Sequence, residues 1–283
     1  MNGCYNLSKE RDKEETEMSN LAVAPELKSV PSNVVSFKVL KKAKENPKPK
    51  SSKARVNTGG KKKAGVSSEV YAFRTEKEIK AMIDVFDNRI ENSTDEHHKH
   101  LAYRNKLLFV VGINIGLRAS DLSTLQYKFF FNELQNGKFE WKESYSIQPV
   151  KTRKTRKFVK LFFNKTIKTA VNDYLERYPF ESVDDYVFAS REGNNAITPN
   201  SLRKIIKEAA FEAGITQNIG SHSLRKTFGY WIWHEAEDKN KALVILSQIF
   251  NHSSIAVTSK YIGITDSEIK DVYESIDLGI DFI

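Results

Sequence analysis

The chain has 283 residues, one cysteine and a formal net charge of +9, with 45 Lys and Arg against 36 Asp and Glu. A single cysteine excludes a disulfide framework, and no apolar run is long enough to span a bilayer, so disulfide-rich secreted and membrane-spanning classes are disfavoured. The N-terminus also lacks the apolar core of a secretory signal. These features predict a soluble, cytoplasmic protein with no membrane partner.

The first quarter of the chain carries almost all of the net charge. Residues 1–68 hold 15 basic and 7 acidic side chains, and the stretch 38–65 reads "KVLKKAKENPKPKSSKARVNTGGKKKAG". Such a segment cannot bury enough apolar surface to offset its chain entropy. We therefore predict a basic, largely disordered tail over 1–69 and one folded domain over 70–283. The tail has two open interpretations, an electrostatic arm that follows a phosphate backbone or a solubilising linker.

The folded part begins near Val70 with a helix, for which Thr75 and Glu78 form a capping box. The apolar residues that follow share one helical face: Ile79, Met82, Ile83, Phe86 and Ile90. The segment "DEHHKH" raises the possibility of a metal site, but no cysteine or paired histidine at ligand spacing accompanies it. We interpret it as a solvated turn or helix start and predict no metal. "YRNKLLFVVGINIG" predicts a buried helix.

The second half predicts a hairpin followed by helices. "WKESYSIQPVKTRKTRKFVKLFF" has β-prone flanks around a basic centre, which predicts strand, turn and strand. Asn164 caps the next helix, "DYVFAS" predicts a short strand, and Thr198, Pro199 and Gly214 delimit another helix. Further helices are predicted at about 222–237, 240–250, 254–262 and, with an apolar stripe, 266–276. The predicted fold class is α+β, mainly helical, with one small antiparallel sheet.

Several polar side chains lie in otherwise apolar surroundings. They comprise cations, imidazoles and one phenol: Arg118, Lys151, His222, Arg225, His252 and Tyr261. Each alone has an ordinary structural explanation, such as a helix-end charge, a turn histidine or a core tyrosine. Together, without a carboxylate pair or a metal cluster, they suit an anionic substrate such as a phosphodiester.

Three segments carry a family resemblance. "GLRASDL", "HSLRKTFGYW" and "NHSSIAVTSKYIGI" resemble the successive active-site boxes of the tyrosine recombinases, the phage integrase family. The resemblance covers roughly residues 70–283 and implies the DNA breaking-rejoining catalytic fold. Asn251 stands where the family usually has glycine, and because Asn tolerates a left-handed turn, we expect that turn to persist.

The resemblance implies roles for the residues that match these boxes. Tyr261 would be the nucleophile that attacks the scissile phosphate and forms a 3′-phosphotyrosyl link. Arg118 and Arg225 would bind the non-bridging oxygens and offset the charge of the transition state. His222 would hydrogen-bond the phosphate and assist removal of the proton from Tyr261.

The resemblance also implies three more roles. His252 would donate a further hydrogen bond to the phosphate, and Asp121 would orient neighbours without touching substrate. Lys151 would protonate the departing 5′ oxygen, although "KTRKTRK" also offers Lys154 and Lys157 for that task. The remaining basic residues of the turn would contact DNA backbone phosphates; with Lys151 as the acid, these are Arg153, Lys154, Arg156 and Lys157.

The implied function is a site-specific DNA recombinase or integrase that needs no cofactor. Its implied partners are double-stranded DNA and further copies of itself, as a dimer or tetramer on DNA. Two alternatives remain open, a DNA-binding accessory factor with little turnover and a type IB topoisomerase-like relaxing enzyme. Many family members clamp DNA with an N-terminal helical domain, and we expect the basic tail to substitute for it in part by charge. The 266–276 helix is expected to dock on its own domain or on a neighbouring protomer.

Overall fold

The computed structural model describes residues 34–35, 69–135, 138–151, 158–191, 193, 195–263 and 273–275. The helices within these residues are α1 Glu76–Glu91, α2 Glu96–Ile115, α3 Ala119–Leu122, α4 Lys165–Arg177, α5 Pro199–Glu212, α6 Ser221–His234, α7 Lys239–Phe250 and α8 Ile255–Ile262. A 3-10 turn spans Tyr127–Phe129. The strands are β1 Val34–Val35, β2 Phe131–Glu133, β3 Phe139–Trp141, β4 Ser144–Ile147 and β5 Val159–Phe162.

The helices begin where the sequence predicts caps. Thr75 and Glu78 form a reciprocal capping box at the start of α1, so two otherwise unpaired donors are satisfied. The side chains of Asn164 and Thr198 accept backbone N–H groups at the starts of α4 and α5. Gly214, just beyond α5, has φ +72°, the left-handed conformation in which helices commonly end. These local predictions are confirmed.

Helix α2 lies at the centre of the domain and packs against α1, α4 and α6. Leu108, Phe109 and Val111 on α2 have no exposed surface, and each such side chain contributes about 1.5–3 kcal/mol by leaving water. Gly112 lets α6 approach closely, since a Cβ there would lie 2.6 Å from Leu224 Cδ1. The packing fixes the C-terminal end of α2 beside the first turns of α6.

The described residues form two small antiparallel sheets. β4 pairs with β5, with Ile147 opposite Val159, which confirms the predicted hairpin. Its turn, residues 152–157, lies outside the described residues. The second sheet has the order β1-β3-β2 and was not predicted. Its β1 comes from the basic tail and pairs with Phe139 and Glu140. The rest of 1–68 is not among the described residues, so the proposed division at residue 69 stays a prediction.

The predicted strand over "DYVFAS" is wrong. Residues 185–190 form only two isolated bridges, Tyr186 with Gln126 and Ala189 with Ala196. Val187 donates to the carbonyl of Leu125 on one side, whereas the carbonyl of Phe188 accepts from the 195–197 segment on the other. The backbone pairs are therefore divided between two partners, and no ladder forms.

Helix α6 ends at His234, three residues before the predicted end. Most of the predicted 266–276 helix lies outside the described residues, of which 273–275 are helical. In the described part of the chain, no single helix is long and apolar enough to cross a bilayer, although α7 and α8, bent by 93°, would pass that test as a pair.

Candidate active site

Two guanidinium groups meet at one backbone oxygen. Nη2 of Arg118 and Nη2 of Arg225 donate to the carbonyl of Phe250 at 3.2 and 2.9 Å. Arg118 precedes α3, Arg225 lies on α6, and Phe250 ends α7. The last carbonyls of a helix lack intrahelical donors and carry partial negative charge, so they attract cations. The end of α7 thus brings together two arginines that are more than 100 residues apart in sequence.

Arg225 is held by the backbone. Its Nη1 donates to the carbonyl of Gly116 at 2.6 Å, its guanidinium lies 4.1 Å from the Phe250 ring centre, and the residue is 4% exposed. Burial lowers the pKa of Arg225 to about 10, so the group is cationic at neutral pH. Among the described residues no carboxylate forms an ion pair with Arg225 or Arg118. The carboxylate of Asp121 acts on Arg225 only as a nearby charge, and a buried guanidinium that is not paired directly with a carboxylate favours the binding of an anion.

Gly116 makes this arrangement possible. It ends α2 with φ +67°, and a Cβ at this position would lie 2.4 Å from the ring of Phe228. A side chain would therefore be strained by the backbone and would also clash. The tight turn directs the Gly116 carbonyl to Arg225 and carries the chain directly to Arg118.

Tyr261 and His222 are in contact. The hydroxyl of Tyr261, on α8, lies 3.3 Å from Nδ1 of His222, at the start of α6. Burial raises the pKa of Tyr261, and the charges of Arg225 and Arg118 oppose that rise. Loss of hydration lowers the pKa of His222, and Arg225 and Lys151 lower it further. At neutral pH the pair is a phenol beside a neutral imidazole, which is the pairing required for proton transfer from the phenol.

His252 follows α7 on a left-handed turn. Asn251 has φ 52°, the one positive φ outside glycine in the described residues, and the expectation that Asn keeps this turn is confirmed. The ring of His252 lies 5.2 Å from the ring of Tyr261, and its Nδ1 lies 3.0 Å from Oγ1 of Thr258. Desolvation, together with the charges of Arg225 and Arg118, lowers the pKa of His252 to about 4. This imidazole is also neutral at pH 7.

Asp121 connects the first box to the hairpin. Its carboxylate is buried, and Oδ1 accepts the backbone N–H of Val150 at 2.8 Å. The contact fixes the chain immediately before Lys151, whose side chain is exposed and whose charge acts on His222. The other four basic residues expected to contact DNA, at positions 153, 154, 156 and 157, lie outside the described residues.

The segment 69–74 makes contacts beside the site that were not predicted from the sequence. The buried Lys226 donates to Glu69 at 2.6 Å, and its Nζ lies 5.6 Å from the centre of the Tyr261 ring. Lys226 lowers the pKa of the Glu69 carboxyl. Arg74 donates to the carbonyl of Gly263, at the end of α8. Lys226 directly follows Arg225 in the second box, which was a usable signal, whereas no sequence pattern links position 69 to position 226.

The histidines of "DEHHKH" do not converge on a metal. Asp95 caps α2 and contacts His98, while Nε2 of His100 lies 2.7 Å from the hydroxyl of Tyr174. The described residues contain no group of three or more His, Cys, Asp or Glu that could hold a metal ion. The interpretation of this segment as a helix start is confirmed.

Comparison with known proteins agrees with this geometry. The sequence model of the phage integrase family matches residues 73–268. The chain belongs to the phage integrase family. The chain is 32% identical over 182 residues to the probable integrase/recombinase YoeC of Bacillus subtilis, covering 63% of this chain and 90% of that one. It is 24% identical to the tyrosine recombinase XerA of Pyrococcus furiosus, covering 72% of this chain and 61% of that protein.

Solved structures show the same fold. The crystal structure of XerA recombinase has a TM-score of 0.51 and 20% identity, with 75% of this chain and 66% of that chain covered. The XerH site-specific recombinase bound to a palindromic difH substrate also scores 0.51, at 19% identity, with 74% and 54% covered. This integrase-family chain thus spans only about half to two-thirds of these structures. The predicted fold class, α+β and mainly helical, is confirmed, with two small sheets where one was expected.

Proposed function

We propose that this protein is a site-specific DNA recombinase that cuts and rejoins DNA through Tyr261. The observation that supports this most strongly is the cluster of Arg118 and Arg225 at the carbonyl of Phe250, beside a tyrosine hydroxyl in contact with a neutral imidazole. A phosphodiester supplies an anion that can contact both guanidinium groups directly. DNA as the substrate is also supported by the relatives, since XerH was solved on its DNA site.

The proposed cleavage step uses each of these groups. Oη of Tyr261 attacks phosphorus, its proton passes to Nδ1 of His222, and the bond from phosphorus to the 5′ oxygen breaks. The 5′ oxygen takes a proton from Lys151 and leaves as a hydroxyl, so that the 3′ end stays on the tyrosine. Arg118 and Arg225 stabilise the charge on the non-bridging oxygens in the transition state.

The same steps in reverse complete a recombination. A 5′ hydroxyl from another strand attacks the phosphotyrosine and restores a phosphodiester and the free phenol. The linkage conserves the energy of the broken bond, so rejoining requires no nucleotide cofactor. Because exchange needs more than one cleaved strand, we propose a dimer or tetramer on double-stranded DNA, in the cytoplasm where that DNA is reached.

The test is a covalent trap. A pool of nicked duplexes with randomised sequence loses a short fragment on cleavage, so the protein–DNA link persists and migrates slowly on a denaturing gel. The wild-type protein and Tyr273→Phe, a change at an exposed tyrosine, form the adduct, and Tyr261→Phe does not. If no duplex yields an adduct, the result supports an accessory DNA-binding role instead. Relaxation of supercoiled plasmid without sequence preference supports a topoisomerase-like enzyme.

We further propose that the basic tail adds affinity without base readout. Residues 1–68 carry nearly all of the net charge, and each phosphate contact releases counter-ions. Deletion of 1–68 should weaken DNA binding at low salt and flatten the plot of log affinity against log salt, by about 0.9 per lost phosphate contact. An unchanged slope in a fluorescence anisotropy titration contradicts this role for the tail.

A further inference from the structure

Thr258 lies within hydrogen-bond distance of His252. It lies on α8, three residues before Tyr261, and has no exposed surface. Its Oγ1 lies 3.0 Å from Nδ1 of His252 and 3.4 Å from the carbonyl oxygen of Ser254. In the described part of the chain, Nε2 of His252 has no hydrogen-bond partner. Among the described residues, Thr258 is therefore the one side chain within hydrogen-bond distance of a ring nitrogen of His252.

Two arrangements of the single hydroxyl proton are possible. If Thr258 donates to Ser254, its oxygen accepts from Nδ1–H, and Nε2 is left as a bare acceptor that repels a phosphate oxygen. If Thr258 donates to Nδ1 instead, the ring proton is on Nε2 and is available to a phosphate. A neutral imidazole has only one N–H, so the two arrangements have opposite consequences for anion binding.

The contacts favour the second arrangement. The carbonyl of Ser254 already accepts the backbone N–H of Thr258 at 3.3 Å, and its 3.4 Å separation from Oγ1 is long for an O–H···O bond. Nδ1 of His252, at 3.0 Å, is the closer acceptor for the Thr258 hydroxyl. Around the ring, Arg225 and Arg118 disfavour a positive imidazolium, and the other contacts are the aromatic rings of Phe250 and Tyr261.

We propose that Thr258 is a positioning residue that holds neutral His252 in the Nε2–H tautomer, so that this imidazole donates to the scissile phosphate. The inference rests on the proposed function for its consequence in catalysis. The tautomer itself is a property of the free protein and is measured without DNA.

The direct measurement is nitrogen-15 NMR of histidine-labelled full-length protein, with the His252 signal assigned by its loss in His252→Gln. We expect the wild type to show a protonated Nε2 and an unprotonated Nδ1 at pH about 7. Thr258→Ser, which keeps the hydroxyl, preserves this pattern, whereas Thr258→Val, which removes it, moves the proton to Nδ1 or divides it between both nitrogens. A wild-type protein with the proton on Nδ1 overturns the proposal.

Cleavage kinetics provide the second measurement. Thr258→Val should slow covalent-complex formation by roughly 10–100-fold, by analogy with removal of the partner that orients a metal-bound histidine, and Thr258→Ser should restore most of the rate. The deficit should stay constant from pH about 8 to about 5, where His252 is neutral, and should shrink as pH falls through about 4, because an imidazolium donates from both nitrogens whatever Thr258 does. A deficit that is equal at every pH indicates a packing defect and contradicts the proposal.

These outcomes are distinguishable from failure of the proposed function. If the wild type forms no Tyr261-dependent adduct, the recombinase assignment fails while the tautomer result still stands. If Thr258→Val does not fold, Thr258→Ala, which removes the hydroxyl without adding a second methyl group, takes its place in the NMR comparison, and an unchanged Nε2–H signal in that variant overturns the proposal.

Discussion

The hydroxyl of Tyr261 lies 3.3 Å from Nδ1 of His222, on a helix 39 residues earlier in the chain. The two groups have shifted pKa values that keep both neutral at pH 7, since loss of hydration raises the pKa of Tyr261 and lowers that of His222. A phosphate bound between Arg118 and Arg225 would partly neutralise their positive charge, which otherwise favours ionisation of the Tyr261 phenol. The proton must then leave to a base as the bond forms, and His222 is the base within reach.

The pH dependence of cleavage tests this role. At DNA concentrations well below saturation, the rate should fall with decreasing pH, with a midpoint below the ordinary histidine value of about 6.5, because the lowered pKa keeps the base neutral down to that range. His222→Gln should be slower by about 10²–10⁴-fold and should lose this dependence. If the rate of His222→Gln falls with decreasing pH in the same way as that of the wild type, the titrating group is not His222.

Lys151 can be tested as the acid through the leaving group. Replacement of the bridging 5′ oxygen by sulfur gives a thiolate, which departs without a proton. The Lys151→Ala variant should cleave ordinary DNA about 10²–10⁴-fold more slowly than the wild type. It should cleave the sulfur substrate at nearly the wild-type rate. Lys154→Ala and Lys157→Ala should weaken DNA binding with no such rescue, and rescue of either in place of Lys151→Ala would move the acid to that position.

Gly116 and Gly214 have similar backbone conformations but different surroundings, so the same substitution can be compared at both positions. Both have positive φ, +67° and +72°, but an added Cβ meets the Phe228 ring at the first and nothing within 4 Å at the second. Gly214→Ala should cost about 1–2 kcal/mol of unfolding free energy and leave cleavage intact. Gly116→Ala should cost a further 1–3 kcal/mol, roughly, and reduce cleavage by displacing the carbonyl that holds Arg225. Equal effects of the two changes on cleavage, measured beside urea unfolding, would contradict this coupling.

The sequence was sufficient to predict features that depend on residues close together in the chain. The spacing of His252 and Tyr261, the turn at Asn251 and the caps at Thr75 and Thr198 all involve residues close together in the chain. Helix periodicity and cap residues report such features directly.

Long-range contacts account for what was missed. The pairing of Val34 with Glu140 and the bond from Lys226 to Glu69 join segments more than 100 residues apart. The convergence of Arg118 and Arg225 on Phe250 was implied by the family resemblance, yet the carbonyl that unites them was not foreseen, because backbone groups leave no mark in a sequence. At 185–190, β-prone residues made single bridges because their hydrogen bonds were divided between two neighbours.

We propose that Tyr261, one of eleven tyrosines, carries the DNA in the cleaved intermediate. The most direct measurement is mass spectrometry of the trapped complex after digestion with trypsin and nuclease. We expect that a single peptide containing Tyr261 gains a nucleotide linked through its 3′ phosphate, and that the 5′ end of the released strand is a hydroxyl. A nucleotide on another tyrosine, or one linked through a 5′ phosphate, would contradict it.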